Sequence, residues 1–63
     1  MESAEIVAAM VAHSMGFAER EARLLIAERG ATVSDDKLQQ ALEPLRQQLI
    51  VEYTDNVEAV CGL

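Results

Sequence analysis

The shortness of the chain is the feature that most constrains its fold. A folded chain of 63 residues and 6.9 kDa keeps about 4,000 Å² of accessible surface. The apolar burial available at this size roughly balances the entropy lost in ordering the chain. The single cysteine, Cys61, cannot form an internal disulfide. We therefore expect one domain, residues 1–63, that gains stability from a larger protein or from a second copy of itself.

Composition and charge exclude several classes of protein. Eleven acidic residues against five basic ones give a net charge of −6, while regularly spaced aliphatic residues argue against disorder. The longest uncharged stretch, Ile6–Ala18, is 13 residues long, which is too short to span a bilayer. The acidic start, with Glu2 and Glu5, is unlike a signal peptide. We expect a cytoplasmic protein without a membrane partner.

Two glycines divide the first half of the chain into two predicted helices. Ser3 is a suitable N-cap for a first helix that runs to about Met15 and stops at Gly16. The apolar spacing then predicts a second helix over Ala18–Arg29, ended by Gly30.

A run of leucines predicts a third helix. Ser34 is its expected N-cap, and Pro44 is expected to kink it or to restart it near Glu43. Its apolar face is formed by leucines at helical spacing, namely Leu38, Leu42, Leu45 and Leu49.

The last segment has the composition of a β-hairpin. The stretch Ile50–Tyr53 is β-branched and aromatic, Thr54–Asn56 is a turn signal, and Val57–Cys61 can return as a second strand. An all-helical alternative makes this segment a fourth helix, although the polar run after Tyr53 disfavours continuity.

This order of elements resembles the winged-helix variant of helix-turn-helix domains. The residues that carry the resemblance are Arg29–Ser34, the leucine run that follows, and Ile50–Tyr53. The resemblance implies an α+β fold with a three-helix core and a C-terminal hairpin, the wing. It also implies that the third helix, about 35–49, is a recognition helix, as in a DNA-binding transcriptional regulator.

Charge argues against DNA as the main partner. The predicted wing contains only acidic charges, which phosphates repel. If nucleic acid is bound, the contact candidates lie on the recognition helix: Lys37, Gln39, Gln40, Arg46 and Gln47.

The first helix favours protein contacts instead. Its apolar side is broader than a small helical core requires, so its alanine side is expected to be covered by something outside the domain. The candidate interface residues are Ala8, Ala9 and Ala12, whose small side chains let another helix approach closely. We expect a small adaptor or accessory subunit that forms a homodimer.

The sequence contains no constellation typical of an enzyme. His13 and Cys61 lie in different predicted elements, and we interpret them as a helix-edge residue and a small buried residue. The acids form no cluster with metal-ligand spacing, and the glycines form no phosphate loop. We expect no catalytic residues, no metal site and no cofactor.

A second, weaker resemblance concerns ubiquitin-associated domains. Met15–Phe17 resembles the first loop of these domains, and Asn56–Val60 resembles the start of their last helix. This resemblance implies ubiquitin binding through that loop. The 38 residues between the two segments are more than the compact three-helix fold of these domains has room for. In the alternative interpretation, Phe17 is a core residue.

Overall fold

The protein is a hairpin of two long helices. The computed structural model describes residues 2–62, in which α1 spans Ser3–Glu28 and α2 spans Asp35–Cys61. The helices are joined by a short connection and pack side by side, so the molecule is a rod measuring 47 × 16 × 15 Å. The ends of the rod are called the loop end, at residues 29–34, and the free end, where α1 begins and α2 finishes.

The predicted winged-helix fold is therefore wrong. Residues 2–62 contain no strand, so the chain is all-α rather than α+β. The predicted first and second helices are one helix, and the predicted wing is the last part of α2. The resemblance to ubiquitin-associated domains fails too, because Met15–Phe17 lies within α1 rather than in a loop.

The apolar face of α1 continues across Gly16, which explains why the helix does not stop there. Only Gly30 and Gly62 have positive φ among residues 2–62, so Gly16 keeps an ordinary helical backbone. A glycine inside a helix costs about 1 kcal/mol relative to alanine. That cost is outweighed because one face of the helix is buried or half-buried along its whole length. The residues of this face are Val7, Val11, Met15, Ala18, Ala22 and Ile26.

The end of α1 was predicted correctly. Gly30 has φ +69°, its N–H donates to the Ala27 carbonyl at 3.0 Å, and the Ala31 N–H donates to the Ile26 carbonyl at 3.2 Å. This pair of bonds is a Schellman motif, which satisfies two of the last carbonyls of the helix. The start differs by one residue: Glu2, rather than Ser3, is the N-cap, and it makes no side-chain capping bond.

The start of α2 follows the expected capping chemistry. The Ser34 Oγ accepts a hydrogen bond from the Lys37 N–H at 3.3 Å, and Asp35 and Asp36 lie in the first turn. The expected restart at Pro44 is wrong, since α2 runs through this residue as one helix. Pro44 is exposed, so water can reach the backbone carbonyl that lacks an N–H partner.

The segment predicted as a wing is helical because its apolar period continues that of the leucines. Leu49 is followed at four-residue spacing by half-buried Tyr53 and buried Val57. The Thr54 hydroxyl donates to the Ile50 carbonyl at 2.6 Å, one helical turn back. Burial of this face outweighs the β-propensity of residues 50–53. The C-cap of α2 is Gly62, which has φ +74°.

The core is small and lies toward the free end. Val7, Val11, Met15 and Val57 are buried together, while Leu38 is buried separately near the loop. Phe17 was expected in the core but is 63% exposed. Half-buried side chains complete the cluster: Ile6, Leu42, Leu45, Leu49 and Tyr53.

One polar contact joins the two helices inside this layer. The Ser14 Oγ and the Tyr53 Oη lie 2.7 Å apart in a part-buried position. Replacing Tyr53 with Phe is expected to lower the free energy of unfolding by about 1 kcal/mol, the usual net value of such a bond. Urea denaturation of Tyr53→Phe, Ser14→Ala and the double variant measures this. Fully additive losses would show that the two hydroxyls do not interact.

Candidate functional site

An open groove runs along one side of the hairpin, between the two helices. Its volume is about 760 Å³. The α1 wall is made of small residues one turn apart, and the floor is formed by the core residues Val7, Val11 and Met15. We call this feature the alanine groove. Its walls are Ser3, Ala4, Ala8, Ala12, Gly16 and Glu19 from α1, with Arg46, Ile50, Thr54 and Glu58 from α2.

The groove includes two of the three interface residues proposed from the sequence. Ala8 and Ala12 are exposed and lie in its wall. Ala9 is also exposed but lies outside the groove. At 100° per residue, Ala4, Ala8, Ala12 and Gly16 drift slowly around the helix, so they form one continuous shallow wall. A side chain at Gly16 would meet only the Arg20 guanidinium, at 3.6 Å, so the groove is also unobstructed there.

Charged groups lie at both ends of the groove. Arg46 and Glu19 stand at the end nearer the loop, and Glu58 stands at the free end. The Arg46 guanidinium donates to Glu43 and, at 3.3 Å, to the Gln39 side-chain oxygen. The pKa of Glu43 is lowered by the hydrogen bond from the Gln47 amide and by Arg46.

The DNA-contact candidates are mostly engaged within the chain. Gln39 donates to Glu19 across the hairpin, and Gln47 donates to Glu43 at 2.8 Å. Lys37 and Gln40 are exposed on α2. The predicted recognition helix is part of a longer helix and has no helix-turn-helix partner among residues 2–62. The arrangement therefore lacks the scaffold that would orient these side chains in a groove of DNA.

Other candidate groups are scattered. His13 and Cys61 are both exposed, so the interpretation of Cys61 as a buried residue is wrong. Across residues 2–62, no three His, Cys, Asp or Glu side chains come together in a way that could hold a metal ion. Neither helix in that range is long and apolar enough to cross a membrane.

A second set of apolar side chains lies on α1 outside the groove, and the sequence analysis missed it. Phe17 and Leu24 are 63% and 62% exposed, and Met10 lies at the same seven-residue spacing with 37% exposure. A seven-residue spacing places them along one line of the helix surface. The apolar surface of α1 thus has two exposed parts, this line and the alanine groove.

The hairpin exposes more surface than a compact chain of its mass. Its accessible area is 4734 Å², against about 4,000 Å² expected for 6.9 kDa. No protein-family model, curated protein or solved structure shows a significant match to this chain.

Proposed function

We propose that this chain is a small protein-interaction module that associates with a second copy of itself through the alanine groove. Two hairpins placed groove to groove make a four-helix assembly, a common arrangement for antiparallel helix pairs. Binding rather than catalysis is its proposed activity, in the role of an adaptor or accessory subunit. The single exposed Cys61 fits a reducing compartment such as the cytoplasm.

The observation that carries this proposal is the excess of exposed surface. The hairpin keeps about 700 Å² more accessible area than a compact chain of its mass. A stable interface between two proteins buries about 800 Å² on each partner. Pairing two hairpins would therefore remove roughly the area that the isolated chain leaves uncovered.

The shape of the groove supports a helical occupant. Ala8 and Ala12 carry single methyl groups, so the helix axes of two chains can approach closely over them. The axes of packed helices lie 8–10 Å apart, and the distance depends on the side chains at the contact. Small residues favour the lower end of that range. An occupying helix would cover the upper sides of Val7, Val11 and Met15, the residues that form the floor.

The molar mass in solution tests the proposal. Light scattering at micromolar concentration is expected to give twice the chain mass of 6.9 kDa. Dilution is expected to lower this value toward one chain, because association depends on concentration. A mass of one chain throughout the micromolar range would contradict self-association.

A further inference from the structure

The charges of this chain are distributed unevenly along the rod. The half at the free end, residues 2–15 and 49–62, contains five acidic residues and no Lys or Arg. The half at the loop end, residues 16–48, contains six acids and every Lys and Arg of the chain. The five basic residues are Arg20, Arg23, Arg29, Lys37 and Arg46. The hairpin therefore has one strongly negative end and one nearly balanced end.

A two-fold pairing through the groove can take only two orientations. In a parallel pair the two free ends lie together, and α1 of each copy faces α2 of the other. In an antiparallel pair centred on the groove, the tip of each free end lies beside the partner's Arg46 and Glu19, and like helices face each other. The parallel pair places two wholly acidic ends in contact, which costs repulsion. The antiparallel pair places the acidic tip of each free end beside one basic residue of the partner, Arg46.

We infer that the second copy binds in the antiparallel orientation, with Arg46 of each chain facing the partner's Glu58. This inference rests on the proposed self-association. Arg46 and Glu58 lie at opposite ends of the α2 wall, twelve residues apart, so an antiparallel two-fold axis between them brings them together. The same axis pairs Ile50 with the partner's Thr54 and lays the α1 wall of one chain, with Ala8 and Ala12, along the α1 wall of its partner.

The hydrogen bonds within the chain favour this pair over the parallel one. The parallel orientation would direct Arg46 toward the partner's Glu19, which already accepts a hydrogen bond from Gln39. Within residues 2–62, the Glu58 carboxylate makes no ion pair or side-chain hydrogen bond. The antiparallel orientation supplies a cation to a groove carboxylate that has none within its own chain.

A distance between two spin labels tests the orientation. The label is placed on Ala31→Cys in a Cys61→Ala background, because Ala31 is exposed at the loop end. The axis midway between Arg46 and Glu58 lies level with about residue 12 of α1, which leaves the two loops about 60 Å apart at 1.5 Å of rise per residue. A parallel pair would bring the labels within about 20 Å, since adjacent helices lie 8–10 Å apart. Light scattering on the same sample gives the oligomeric state.

Each result leads to a different conclusion. A dimer with labels about 60 Å apart supports the inference. A dimer with labels within about 20 Å overturns the orientation and leaves self-association intact. A single-chain mass with no distance between labels overturns both.

A charge exchange provides a second measurement with a matched control. Arg46→Glu is expected to weaken the dimer roughly tenfold, because two symmetric pairs are lost at once. Adding Glu58→Arg is expected to restore most of the affinity. The control variant, Arg46→Glu with Glu19→Arg, loses the same contacts of Arg46 within the chain and is expected to stay weak. Restoration by Glu19→Arg and not by Glu58→Arg would overturn the antiparallel pair.

Discussion

Replacing Ala12 with Glu is expected to separate the dimer into single chains. Ala12 is exposed in the hairpin and lies in the wall of the alanine groove, so the substitution leaves the fold of one chain intact. In the proposed dimer, two new carboxylates, one from each chain, would be buried between helices without partners, which together costs at least about 3 kcal/mol. The dissociation constant is expected to rise roughly a hundredfold, measured by sedimentation equilibrium.

The matched control for this experiment is Ala9→Glu. Ala9 is on the same helix and equally a surface alanine, but it lies outside the groove. It is expected to change the dissociation constant little and to keep the helical dichroism of the parent. If Ala9→Glu dissociates the chains and Ala12→Glu does not, the interface is on another side of α1.

Replacing Pro44 with Ala is expected to stabilise the protein by up to about 3 kcal/mol. Pro44 is inside α2, where it lacks the N–H that would bond to the carbonyl of Gln40 and where its ring crowds that carbonyl. Alanine restores the donor and has the highest helix propensity. Both Pro44 and Gln40 are exposed, so the substitution leaves the core unchanged.

Urea denaturation at a fixed chain concentration measures this gain, because the proposed association would make the apparent stability depend on concentration. Gln48→Ala, at another exposed position of α2, is the control and is expected to change the free energy of unfolding by less than about 0.5 kcal/mol. If the urea concentration at the unfolding midpoint of Pro44→Ala is equal to or below that of the parent protein, α2 depends on a bend at this residue.

Local chemistry made two helix ends predictable from the sequence. Gly30 ends α1 because a left-handed residue is needed there, and Ser34 begins α2 because its hydroxyl caps the Lys37 N–H. Both signals act within a few residues, so no knowledge of the tertiary structure is required to recognise them.

The errors came from ranking local signals above the apolar period. Gly16 predicts the end of a helix by its residue type, but the apolar face continues from Met15 to Ala18. The composition of residues 50–53 and 57–61 predicts two strands, but Tyr53 and Val57 continue the helical spacing of the leucines. In both places the packing of one helix along the other decides the structure, and β-propensity is weak against such burial.

The candidate site was half predictable. The excess of alanine on α1 indicated Ala8 and Ala12, because no core of this size uses so broad an apolar side. The opposite wall, with Ile50 and Thr54, depends on the antiparallel register of α2. That register follows from the hairpin, which the sequence analysis did not predict, so the α2 wall could not be identified.

The contacts of the groove methyl groups test the central proposal most directly. In an equal mixture of ¹³C-labelled and unlabelled chains, isotope-filtered spectra detect only contacts between chains. The methyl groups of Ala8, Ala12 and Ile50 are expected to show such contacts, while that of Ala9 shows none. Contacts confined to Phe17 and Leu24, or an absence of contacts between chains in a sample concentrated enough to associate, would contradict an interface in the alanine groove.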